Sequence, residues 1–412
     1  MAENNMLNYS LTPVESEEFE GPGPCEWIPL PLVGTRLIIV GFFGTTVAVI
    51  SIIENLVFSI ILFKKRSYRS SHTLYIGLIA FFDFLIAMAY IPLMSLSIFV
   101  DYTQNATLLK AWYTYMYPTI MISHLAMTAS SFLMVVASWE RYRITRDPMA
   151  TKWLNKNRVK IALSAIISGF ITKISHPMEI KIIHNPSCAG TMMEWNIEPS
   201  ALATDPIYIY WKVWIRSFIT ILIPFALLTI INLLIVLKVR ENEFQFLSAQ
   251  KISEMRKKSR TRAAAKTMIF VVLTYLLSNI LNVIMILWEY ADSKYLEEEL
   301  LEFYMVAVDL VSLSTIVAGA ARPLIYVWCQ SEFRTEITNN LKSMFMRPQR
   351  RGYSGASVIA TEDSSCGDFE DQPEKQSKPV TDLFMKLGTV LLVEKKKDKD
   401  PNHIIRNGEI IV

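Results

Sequence analysis

The sequence predicts an all-α membrane protein built as a seven-transmembrane helix bundle, and three observations carry that prediction. The chain of 412 residues is 52% hydrophobic and only 19% charged, below the roughly 25% charged content of soluble domains. Its apolar residues gather into seven runs, and crossing a hydrocarbon core of ~30 Å takes about 20 helical residues each. Basic residues crowd one alternate set of the connecting segments, the bias that orients helical membrane proteins.

In chain order, residues 1–36 form an acidic segment with Glu3, Glu15, Glu17, Glu18, Glu20 and Glu26, and without Lys or Arg before Arg36. No apolar core of a cleaved signal peptide precedes the first run, which is expected to act as its own insertion signal. The bundle takes residues 37–328, with approximate spans 37–63, 73–100, 111–142, 157–180, 211–239, 263–290 and 303–328. These runs are long and do not alternate, so they read as helices rather than barrel strands. After Arg347 the composition turns to Ser, Gly, Asp, Glu and Lys with scattered prolines. Residues 347–412 are therefore expected to be a disordered cytoplasmic tail that buries too little surface to fold.

Orientation follows from the loops. Lys64, Lys65, Arg66 and Arg69 lie after the first span, Arg141, Arg143, Arg146, Lys152, Lys156 and Arg158 after the third, and Lys238, Arg240, Lys251, Arg256, Lys257, Lys258, Arg260 and Arg262 after the fifth. Those loops are expected in the cytoplasm, which leaves the N-terminus extracellular in a multi-pass plasma-membrane protein. The opposite loops carry Glu289, Asp292, Glu297, Glu298, Glu299 and Glu302. Two Asn-x-Ser/Thr glycosylation acceptors, Asn8 and Asn105, fall on the same outer face.

A net charge of +3 does not suggest nucleic acid as a partner, and four cysteines without CxxC spacing make neither a zinc module nor a disulfide scaffold. No HExxH, Walker loop, GxSxG or Ser/His/Asp set can be assembled on one side of the bundle, so neither an enzyme nor a bound cofactor or metal is expected. A proton- or ion-coupled transporter is the competitor from another class, suited by the midplane acids Asp83 and Glu54 but lacking internal repeats and broken helices.

Glu140-Arg141-Tyr142 stands at the cytoplasmic end of span three, Asn55 in span one, Asp83 in span two, Pro224 in span five and Pro323-Leu324-Ile325-Tyr326 near the end of span seven. In this order and at these positions the chain resembles the rhodopsin-like G-protein-coupled receptors, over about residues 37–346. An arginine beside an acid at a helix end can be charge-paired in one state and freed toward a partner in another. The resemblance implies that Glu140, Arg141, Tyr142 and Tyr326 serve as switch and heterotrimeric G-protein contacts, and that 329–346 form the family's amphipathic eighth helix on the inner leaflet. Ser354, Ser357, Thr361, Ser364 and Ser365 in the tail are candidate phosphate acceptors for an arrestin-like partner. His176-Pro177-Met178-Glu179, Ile223-Pro224-Phe225, Ser278-Asn279 and Trp288-Glu289-Tyr290 are similar, more narrowly, to invertebrate FMRFamide-type neuropeptide receptors.

The chain also departs from that family. The span-three cysteine of the usual disulfide is Met116 here, while Cys188 remains and Cys25 is the other cysteine on the oxidising side. A Cys25–Cys188 bridge is expected in its place, the alternative being two free thiols. The span-seven asparagine is replaced by Arg322. Charges in hydrocarbon are nearly always paired, so Arg322 is expected either to pair with Asp83 in a polar network with Asn55 and Ser130, taking the place of a sodium ion, or to reach the inner phosphates. Span six has no proline kink, reading Ser278-Asn279 instead.

For such a receptor the ligand site opens outward among spans three to seven. Tyr117 and His124, two turns apart on one face of span three, Glu179, Trp211, Trp214, Glu289 and Asp309 are its candidate lining residues. The acidic rim sets up a field that attracts cations, which suits an amidated peptide ending in Arg-Phe. A small chemosensory ligand is the other reading within the same class.

Overall fold

The computed structural model describes residues 25–27, 32–64, 73–146, 150–246, 252–294, 300–330, 334–335 and 337–338. Asn8, Glu297 to Glu299, the tail and most of the expected eighth helix lie outside them. Seven long helices form the fold: α1 Val33–Lys64, α2 Thr73–Thr103, α3 Ala106–Arg146, α4 Lys152–Glu179, α5 Pro206–Glu241, α6 Ala263–Ala291 and α7 Glu302–Cys329. Each is long and apolar enough to cross a membrane.

Local chemistry sets where these helices start and stop. Gln104 adopts a left-handed conformation at φ 50° and turns the chain sharply after α2. Asn105 Oδ1 then accepts from the backbone N–H groups of Thr107 at 3.0 Å and Leu108 at 3.2 Å, capping α3. Asp205 caps α5 through the N–H of Tyr208 at 2.9 Å, with Pro206 in the first turn, where its missing N–H costs nothing. α4 is α-helical to Lys173 and closes in a 3-10 turn, His176–Glu179.

Between α4 and α5 the chain forms an antiparallel hairpin, β1 Ile180–His184 and β2 Trp195–Pro199, with Ile182 opposite Ile197. A disulfide between Cys25 and Cys188 joins the N-terminal segment to this connection, with Cα atoms 5.3 Å apart. That end of the bundle is the hairpin end below, and the end where Arg146 and Cys329 finish their helices is the tail end.

The bundle is apolar outside as well as inside. Large apolar residues such as Ile53, Phe170, Ile171, Leu233, Leu277 and Leu287 face outward, as lipid requires. Ser51, Asn55, Asp83, Ser130, Ser138 and Arg322 are buried among Ile79, Leu133, Met134, Leu228, Val272 and Ile316. Helix association in lipid relies on close backbone approach and interhelical polar contacts. Gly169 of α4 shows the first, because a Cβ there would sit 3.3 Å from the backbone nitrogen of Ala129.

Candidate functional site

Polar side chains gather at three levels, and at each an acid ends on an arginine. At mid-height Arg322 Nη1 of α7 lies 2.5 Å from Asp83 Oδ1 of α2, and Ser130 Oγ of α3 donates to the same oxygen at 3.2 Å. Asn55 of α1 donates to the Gly319 carbonyl at 3.1 Å and to Ser51. Asn55, Asp83, Ser130 and Arg322 thus stitch four helices together. Desolvating both charges is offset only by good pairing geometry and further hydrogen bonds, which Ser130 helps to supply.

At the tail end Glu140 of α3 pairs with Arg158 of α4, not with its neighbour Arg141. Arg158 Nη2 lies 2.6 Å from Glu140 Oε1 and 2.7 Å from Asn155 Oδ1. Arg141 is buried and takes part in no ion pair among the described residues. It lines a small cavity with Tyr75, Thr267, Met268, Tyr326 and Gln330. Gln330 donates to Thr267 Oγ1 at 3.2 Å, tying the end of α7 to α6, and Tyr326 stacks on Phe58 with ring centroids 5.4 Å apart. Tyr142 packs against Ile235, Val239 and Ala265 of α5 and α6. Its guanidinium thus lies without an acid partner among the described residues, beside residues of α2, α6 and α7.

At the hairpin end the candidate residues divide into two groups. On the α3–α5 side Tyr117 donates to the Ile180 carbonyl at 2.6 Å, His124 stacks on His176 at 4.0 Å, and Glu179 binds both Nη atoms of Arg216, with Tyr208 Oη at 2.9 Å and Lys212 Nζ at 3.3 Å. A cavity of about 320 Å³ opens here, lined by His176, Glu179, Ile180, Ile197, Lys212 and Arg216 among others. Of the seven ligand candidates, Glu179 is the one that lines it. On the α6–α7 side Asp309 is held by Arg36 at 2.6 and 3.2 Å, and Glu289 accepts from Tyr304 Oη at 3.1 Å. Trp214 of α5 stacks on Tyr290 of α6 at 4.6 Å, and both Trp214 and Trp211 are exposed. Asn105 caps α3 at this end, its side chain exposed.

Sequence reasoning identified Asp83, Glu140, Glu179 and Asp309 and one of their four arginine partners. Arg36, Arg158 and Arg216 escaped it, as did Lys212. The signal available for Arg216 was its place inside an apolar run, where a lone charge demands a partner.

The family model described as 7 transmembrane receptor (rhodopsin family) matches residues 54–326, from the Glu54-Asn55 pair of α1 to Tyr326 of α7. No curated protein matches the chain. The family implies a ligand and a heterotrimeric G protein as partners, in a receptor rather than an enzyme, at the plasma membrane. With its seven helices, the arginine of α3 at the tail end and a match running through the whole bundle, the chain belongs to the rhodopsin family of seven-transmembrane receptors.

Proposed function

We propose that this receptor binds an extracellular neuropeptide, a cationic amidated peptide of the FMRFamide type, at the hairpin end and activates its G protein by movement of α3, α6 and α7 at the tail end. The N-terminus and hairpin are extracellular in this reading, Asn8 and Asn105 are glycosylated, residues 329–346 form an amphipathic helix on the inner leaflet, and an arrestin-like protein binds the phosphorylated tail. The observation that carries the ligand reading is Glu289. Its carboxylate at the end of α6 takes a hydroxyl from Tyr304 and pairs with no cation among the described residues. Exposed Glu302 lies on the same side. Asp309 and Glu179 are already neutralised by arginines and contribute less to the attraction of a cation than their charges suggest.

The test is calcium and cyclic AMP output in cells expressing the full chain, challenged with amidated Arg-Phe peptides beside uncharged and acidic small molecules. Responses confined to the peptides and weakened at least about tenfold by Glu289→Gln support the reading, since an uncompensated partner of a buried charge pair costs 2 or more kcal/mol, about tenfold being 1.4. Responses to small molecules alone overturn it in favour of a chemosensory receptor.

A further inference from the structure

The cavity under the β1–β2 hairpin differs in charge from the acidic α6–α7 side. Glu179 is spent on Arg216, whose two Nη atoms it binds. Glu198, the other acid in the cavity wall, lies directly across the hairpin from Lys181. Lys212 touches the remaining edge of Glu179 at 3.3 Å, keeps its side chain 42% exposed and lines the cavity. Lys173 stands in the last α-helical turn of α4, before the 3-10 turn that carries Glu179, and forms no ion pair among the described residues. Lys212 and Arg216 therefore share one buried acid, and Lys173 adds a further cation at this end of α4. Surplus positive charge in a half-buried, low-dielectric pocket concentrates anions.

We propose that this cavity is an anion-accepting subsite for a carboxylate of the ligand, with Lys212 making the contact, Lys173 supporting it electrostatically and Glu179 holding Arg216 in place as a positioning residue. The cavity is walled by Ile180, Ile197 and Pro199 of the hairpin and by Ala203, outside the apolar helix runs, which favours a ligand arriving from water over a lipid headgroup. Resting on the peptide reading above, the inference narrows the ligand class to dipolar peptides, with a cation toward Glu289 and an acidic residue toward Lys212.

Two measurements on the full chain test it. In the signalling assay, two amidated Arg-Phe peptides differing only as Asp or Asn at one internal position are compared at each position in turn. For at least one position the Asp peptide is about tenfold more potent, and in Lys212→Gln the two peptides of that pair become equal in potency. Equal potency at every position, or a preference that survives Lys212→Gln, overturns the subsite. Independently of any peptide, thermal unfolding of the purified receptor in neutral detergent is followed with inorganic phosphate against chloride at equal ionic strength. A saturable rise in the midpoint is expected, lost in both Lys173→Gln and Lys212→Gln. No phosphate-specific rise, or the same rise in both variants, overturns the anion site even where the peptides signal. A phosphate response without any peptide response upholds the site and discards the Arg-Phe reading. Stabilisation seen only when phosphatidylglycerol is added to phosphatidylcholine nanodiscs assigns the charge to lipid and overturns the ligand subsite.

Discussion

The Asp83–Arg322 pair at mid-bundle and the Glu179–Arg216 pair at the hairpin end have the same chemistry in opposite settings. Side-chain exposures are 2% and 5% for the first pair and 4% and 6% for the second, so burial alone does not distinguish them. The surroundings do. Asp83 and Arg322 are enclosed by Ser130, Gly319 and apolar helices, while Glu179 and Arg216 line an open cavity and share a third charge, Lys212. A sealed pair joins the three helices around it and presents no charge outward. An open pair with a surplus cation holds its geometry and still presents charge outward, which is what a binding surface needs.

The largest effect expected from breaking this comparison is at Arg322. Arg322→Leu leaves Asp83 buried and uncompensated and costs about 3–5 kcal/mol, read as a steep loss of surface expression and of the thermal midpoint. Glu179→Gln is milder, about 1–3 kcal/mol, because water entering the cavity solvates the freed Arg216; its clearer signature in the same unfolding assay is a midpoint that recovers with added anion. Sodium sharpens the contrast further. With Arg322 already neutralising Asp83, exchange of sodium chloride for choline chloride should move agonist affinity by less than about twofold, or ~0.4 kcal/mol, in a radioligand or bioluminescence binding assay.

The smallest effect lies in the hairpin. Glu194 accepts from the Gly190 N–H at 2.8 Å, and also from His184 and Trp195, which together hold its carboxyl below the usual carboxylate range, the Gly190 bond most of all. A lowered folded value means the contribution is present above the unfolded carboxylate pKa and is lost as pH falls through the lowered one. Glu194→Gln should therefore speed hydrogen exchange in β1–β2 at neutral pH and make no difference under strongly acidic conditions.

The seven helices were legible because lipid imposes length and apolarity on every span, and both are written along the chain. The candidate site was legible by halves. An acid inside an apolar run stands out, so Asp83, Glu140, Glu179 and Asp309 could be found one residue at a time. Which arginine meets which acid depends on helix rotation and crossing, set by packing of the kind seen at Gly169 and Ala129. Arg36 and Arg158 lie at run ends, where snorkelling already accounts for a basic residue. Arg322 was matched to Asp83 only because the family resemblance places those two positions face to face. The expected Cys25–Cys188 bridge came the same way, from the loss of one cysteine at Met116, and the structure contains that disulfide.

The most direct test of the sealed-pair account is a double-mutant cycle on Asp83→Asn and Arg322→Leu in the full-length receptor, read by thermal unfolding at neutral pH. The account predicts that each single variant is strongly destabilised and that the double variant recovers much of the loss, with a coupling of at least about 2 kcal/mol. Additive losses, with coupling within ~0.5 kcal/mol of zero, would contradict it.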